Sequence, residues 1–243
     1  MKSEDLSASP DWIAFDADDT LWHNEPIFQA TEVHFATLLS GHHPEAFVRE
    51  RLFSTEMKNL GRFGYGIKGF ILSMIETALE LTQGKVGGPE IRQILDWGHE
   101  MLAHPVQLLD GVRETVEILA RDHRLMLLTK GDLFDQESKL ARSGIGDAFA
   151  AVEIVSEKDA ATYRRIMNRH SVKAERFLMV GNSLRSDVLP ALEAGAMAVH
   201  IPYAVTWAHE HLEAAEVEGQ TFARMEKIAD LVEWIAARRR PDP

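Results

Sequence analysis

Residues Trp12–Trp22 read WIAFDADDTLW: a short apolar run, then Asp16, Asp18 and Asp19 within four positions. Like charges so close repel, and burial strengthens the repulsion. Either the stretch is a solvated turn in which one aspartate caps the next element, or something positive balances the three carboxylates. The choice depends on what else the chain brings to the ends of its strands.

WIAFD suits a buried strand, and from Gly111 onward similar runs alternate with helical patterns. RLMLLTKG (124–131), AAVEIVS (150–156), RFLMVGN (176–182) and MAVHIP (197–202) read as further strands. Helices are predicted over Val112–Asp122, Leu133–Ser143, Ala160–His170 and Val188–Ala194, with a last one in MEKIADLVEWIAARR (225–239) before a solvated RRRPDP end. This βα spacing predicts an α/β fold, a Rossmann-like parallel sheet covered by helices on both faces. Ligands collect beyond the carboxyl ends of such strands, where Asp16, Thr129 and Gly181 all fall.

Residues 23–104 differ. Asn24 is placed to cap a helix with Pro26 in its first turn. GIKGFILSMIETALEL (66–81) spaces Ile67, Phe70, Ile71, Met74, Ile75, Ala78 and Leu79 at helical intervals, and another helix begins after Gly88. With no strand pattern among them, 23–104 is expected to be an all-α insert, and 1–22 plus 105–243 the sheet domain.

Composition narrows the function. The 243 residues carry 26 basic and 38 acidic side chains, a net charge of −12, which argues against a nucleic-acid or anionic-membrane binder. A small anionic substrate stays possible at one locally positive site. There is no cysteine, which excludes disulfides, thiol catalysis and cysteine-ligated zinc. No apolar run approaches the roughly 20 residues of a membrane span, and the N-terminal residues carry no signal-peptide pattern; a cytoplasmic protein, monomer or homodimer, is expected. The eleven histidines form no HExxH or other strong zinc spacing.

Four features stand in order at predicted strand ends: DxDxT from Asp16, Thr129 followed by Lys130, Lys158 before a helix, and GNSLRSD from Gly181 to Asp187. Singly, each has a structural explanation: a strand-end hydroxyl for Thr129, a surface lysine for Lys158, an N-cap for Asp187. Together they resemble the haloacid dehalogenase superfamily, in particular its phosphatase branch, and the helical insert resembles that family's cap domain. The resemblance implies Asp16 as nucleophile, forming an aspartyl phosphate, and Asp18 as the acid and base that serves the leaving oxygen and then the attacking water. It implies Mg²⁺ on Asp16, the backbone carbonyl of Asp18 and the carboxylate of Asp187. Thr129, with Lys130 beside it, and Lys158 would bind the phosphate. Asn182 stands where many relatives carry an acid, and Asp159 follows Lys158 where they often carry proline; Lys139 and Lys173 are the alternative lysines.

The second aspartate, Asp18, separates phosphate chemistry from dehalogenation, which needs no acid on a leaving oxygen. A small phosphorylated metabolite is the expected substrate of a hydrolase; a sugar-phosphate mutase and a non-catalytic binding module are the alternatives. In GRFGYGIKGF (61–70), Arg62, Tyr65 and Lys68 either form a specificity loop over the leaving group or simply join two helices.

Overall fold

The four buried residues Trp12–Phe15 form β1, at the middle of an all-parallel six-stranded sheet of order β3-β2-β1-β4-β5-β6 in the computed structural model. The structure describes residues 9–205, 207–210 and 220–238. The other strands are β2 (Arg124–Lys130), β3 (Phe149–Val155), β4 (Phe177–Gly181), β5 (Met197–His200) and β6 (Ala223–Arg224). Five of these match the sequence expectation. The sixth is only two residues long, too short for any alternation to announce it.

The central strands are apolar throughout because both faces are covered. Ile13 and Phe15 of β1 join Leu125, Leu127, Leu178, Val180 and Val199 in one core, with α5 (Val112–Leu119) and α9 (Asp230–Arg238) supplying Val116 and Leu231. Trp12 and Ala14 point the other way, against Met126, Leu128, Phe177 and Met179, covered by Tyr163 and Ile166 of α7 (Ala160–Arg169) and Ala191 of α8 (Leu189–Glu193). Period-two alternation in β1 thus feeds two hydrophobic layers from one four-residue strand.

The chain separates into two compact units. The first holds the sheet and comprises Met1–His23, Val106–Lys130 and Lys139–Pro243; the second comprises Asn24–Pro105 together with Gly131–Ser138. The second unit is built on α1 (Glu25–Leu38), α2 (Glu45–Phe63), α3 (Ile67–Leu81) and α4 (Gly88–Ala103), around Phe35, Leu52, Phe70, Met74 and Ile94. Helix α2 has no clear apolar stripe in the sequence, because its buried face mixes Val48 and Leu52 with Thr55, Glu56 and Asn59. It shortens the predicted 61–70 connection to Gly64–Gly66. The eight residues Gly131–Ser138 belong here because Lys68 ion-pairs with Asp132 at 2.9 Å and Gly66 packs against the Asp132 backbone. Helix α6 (Leu133–Ser143) begins in this segment. No helix of the described residues is long and apolar enough to cross a membrane.

Candidate active site

The strand order changes direction between β1 and β4: the chain runs outward from β1 through β2 and β3, then returns to β4 on β1's other side. A parallel sheet opens a crevice at such a switch point, beyond the carboxyl ends of its strands. Register pairs Phe15 with Leu127 and with Val180, so Asp16 and Gly181 leave the sheet side by side, and the Asp16 N–H still donates to the Val180 carbonyl at 2.9 Å.

Beyond β4 the backbone forms a tight loop. Ser183 caps a short π-helical turn, Leu184–Val188, by accepting the Ser186 N–H at 3.0 Å. The wide turn lays the Asp187 carboxylate back over Gly181, where an added Cβ would lie 2.2 Å from Asp187 Oδ2. The Ser183 N–H donates to that same oxygen at 3.0 Å. Tyr163, fully buried on α7, donates its hydroxyl to the Ser186 carbonyl at 3.0 Å and holds the turn from below.

Lys158 joins the two aspartates. Its ammonium lies 2.5 Å from Asp16 Oδ1 and 2.7 Å from Asp187 Oδ1, and the lysine is only 4% exposed. Burial works against the Lys158 cation, but the charges of Asp16 and Asp187 outweigh it and raise its pKa. The alternative Lys139, on α6, instead reaches Asp18 Oδ1 at 3.0 Å, beside the Trp22 Nε1–H at 2.7 Å. Asp159, which follows Lys158, is the N-cap of α7 and accepts the Thr162 N–H at 2.7 Å.

The protein-family comparison matches residues 10–195 to the model of haloacid dehalogenase-like hydrolases. The chain belongs to that family. A haloacid dehalogenase-like family hydrolase from Xanthomonas campestris shares 40% identity, with a TM-score of 0.80 over 95% of this chain and 93% of its own. A glyceraldehyde 3-phosphate phosphatase from Methanothermobacter thermautotrophicus is 31% identical over 104 residues, 40% of this chain and 46% of that protein. The matched stretch therefore spans less than half of that relative. The 2-haloacid dehalogenase from Pseudomonas syringae pv. tomato, 23% identical with a TM-score of 0.62 over 94% of this chain and 99% of its own, shows the shared fold.

Other expected residues of this haloacid dehalogenase-like hydrolase take different partners. Thr129, 1% exposed at the end of β2, donates its hydroxyl to the Lys130 carbonyl at 3.1 Å. Lys130, expected to bind phosphate, turns its ammonium to Glu210 Oε1 at 2.5 Å and to Ser186 Oγ at 2.8 Å. Burial would raise the Glu210 pKa, but the Lys130 charge and hydrogen bonds from Lys130, Ser183 and Ser186 hold it at about 2. Arg62 is exposed on the last turn of α2, Tyr65 is half-buried, and Lys68 is engaged by Asp132. Thr20, part of DxDxT but without an expected role, lies between Asp16 Oδ2 at 3.1 Å and Asn182 Oδ1 at 3.3 Å, and accepts the Asn182 N–H at 3.0 Å. Its single proton serves one of the two acceptors at a time. Only its place as the threonine of the motif could have signalled it.

The charges of this family member fit a divalent cation. Two buried carboxylates share one ammonium, which leaves a surplus negative charge: burial foremost, then Asp187 and Asp18, push the Asp16 pKa up to about 7 against the pull of Lys158. Among the described residues no three Asp, Glu, His or Cys side chains gather around a metal position. A cation here would rest on the Asp16 and Asp187 carboxylates, a backbone oxygen and water, the sparse all-oxygen set that suits Mg²⁺.

Proposed function

We propose that this hydrolase is a Mg²⁺-dependent phosphatase of a small phosphorylated metabolite, working through an aspartyl phosphate on Asp16. The observation that carries the reading is the convergence of Asp16 and Asp187 on the Lys158 ammonium at the sheet's switch point, with Asp18 two residues from Asp16. The phosphatase named among the partial relatives supports it.

Asp16 is the nucleophile: one carboxylate oxygen bonds to phosphorus while the bond from phosphorus to the ester oxygen breaks. Asp18 delivers a proton to that leaving oxygen, then takes one from the water that attacks phosphorus; inorganic phosphate leaves and the Asp16 carboxylate returns. Two carboxylic acids are needed because the nucleophile cannot also shuttle the proton. Lys158, with ammonium protons toward Asp16, meets the charge of the phosphoryl oxygens as they approach. The Trp22 indole and Lys139 hold Asp18 by one oxygen beside the reacting centre. Mg²⁺ bound by Asp16, the Asp18 carbonyl and Asp187 would neutralise phosphate charge and admit the anion to this acidic pocket. The Asn24–Pro105 helices would then serve as the specificity cap, with Arg62, Tyr65 and Lys68 as candidate contacts to the leaving group.

The test is release of inorganic phosphate from a chromogenic ester and a panel of phosphorylated metabolites, glyceraldehyde 3-phosphate among them, with Mg²⁺ and with chelator. Turnover is expected only with metal, and Asp16→Asn should lower it by about 10⁴-fold or more. A folded Asp16→Asn protein within about tenfold of the parent overturns the nucleophile. Phosphate moved within a sugar without release would instead identify a mutase, and silence with Mg²⁺ bound a binding module.

A further inference from the structure

Glu210 lies outside every expected site residue, yet it gathers three neighbours of the active-site loop. The Ser183 hydroxyl donates to Glu210 Oε2, the Ser186 hydroxyl donates to the same oxygen at 2.7 Å, and Lys130 holds Oε1 at 2.5 Å. Lys130 and Glu210 side chains are each 13% exposed. The polarity of the network is set throughout. Lys130 donates to Ser186 Oγ at 2.8 Å, so the Ser186 proton is directed onward to Glu210. With its proton on Glu210, Ser183 Oγ presents lone pairs to the Ser186 N–H at 3.0 Å. The Ser183 backbone N–H, fixed in this way, donates to Asp187 Oδ2 at 3.0 Å. A continuous chain of hydrogen bonds therefore runs from Glu210 through Ser183 to the carboxylate offered to the metal.

We propose that Glu210 is the positioning residue of the Asp187 loop: its carboxylate clamps Ser183 and Ser186 to the Lys130 end of β2, and so fixes the Asp187 carboxylate for the divalent cation. Lys130 is the counter-charge of this clamp, and among the described residues Lys158 is the lysine shared by Asp16 and Asp187. The part concerning metal rests on the proposed phosphatase reading; the ordering of the loop does not. Glutamine at position 210 keeps the shape but loses the charge, and it leaves Lys130 and two serine hydroxyls competing for one amide oxygen. Residues that orient a metal ligand from behind typically change metal affinity about 10–100-fold.

The test uses the full chain as parent, Glu210→Gln, Glu210→Asp and Ser183→Ala. Hydrogen–deuterium exchange in metal-free protein reads the peptide spanning Gly181–Val188; exchange several-fold faster in Glu210→Gln and Ser183→Ala, with other sheet peptides unchanged, is expected. Mn²⁺ titration followed by electron paramagnetic resonance should show binding weakened about tenfold or more in Glu210→Gln and partly recovered in Glu210→Asp. High Mg²⁺ should restore kcat of Glu210→Gln while KM stays near the parent value, which a general loss of folding would not produce. Unchanged exchange overturns the clamp, whatever the metal does. Faster exchange with Mn²⁺ affinity within about twofold of the parent overturns its role toward the metal. If the parent binds no Mn²⁺, the phosphatase reading fails and the exchange measurement still decides the clamp. Ser183→Ala removes a single hydroxyl and serves if Glu210→Gln does not fold.

Discussion

The identity of Gly181 is set by one contact. An added methyl would lie 2.2 Å from Asp187 Oδ2 and 2.4 Å from its Cγ, so Gly181→Ala must push the carboxylate off its seat. A displacement near 1 Å is expected to lower kcat by about 100-fold and move the Mg²⁺ activation curve to higher concentration, with the sheet intact by circular dichroism. A parent-like rate would show that Asp187 needs no such cradle. Asp16 and Asp18 stood out because carboxylates crowded at a strand end repel unless a cation balances them; Asp187 and Lys158, singly explicable as a helix cap and a surface lysine, were singled out by the order of motifs that resembles the haloacid dehalogenase family. Thr20 and Glu210 were not, and Lys139 stood only as an alternative to Lys158: each makes its contact through the fold, and Glu210 lies 80 positions from the lysine it holds.

Two elements owe their character to single acids. Helix α7 starts at Asp159, whose carboxylate accepts the Thr162 N–H; Asp159→Ala should cost about 1 kcal/mol by chemical denaturation, with Lys158 left in place. An unchanged midpoint would mean that water satisfies the helix end equally well. In α2, Glu56 is 8% exposed and its Oε1 accepts no hydrogen bond. Burial first, then the charges of Glu32 and Glu25 on α1, push its pKa up to about 8 from an ordinary 4.5. Because the folded form holds the proton more tightly, Glu56 lowers stability as pH rises from the unfolded value near 4.5 to the folded value near 8, and by a constant amount above that. Glu56→Gln cannot ionise, so its stability to chemical denaturation should rise relative to the parent across that window, by roughly 4–5 kcal/mol at the top. Parallel pH profiles for the two proteins would place the Glu56 proton elsewhere. The same buried polar face is why α2 could not be read from periodicity.

At the scale of the molecule, the parallel order β3-β2-β1-β4-β5-β6 brings residues far apart in sequence to one crevice. A cation bound there stabilises the native state by mass action, about 2.7 kcal/mol at 100 times its dissociation constant. Mg²⁺ should therefore raise the melting temperature of the parent and leave Asp187→Asn unmoved; an equal rise in both would place the ion elsewhere. The order of residues alone was enough for the alternation of strands and helices, the helical insert, and the aspartates at and beyond the strand ends, because periodicity and spacing are properties of neighbours along the chain. The partners came from the folded chain: Lys158, and neither Lys139 nor Lys173, stands between Asp16 and Asp187, Lys130 answers to Glu210, and Gly131–Ser138 joins the helical unit. Those are choices among partners of equal chemistry. The physical reason is that an ammonium is claimed by whichever carboxylates the fold brings within about 3 Å, a distance the linear order of residues does not encode.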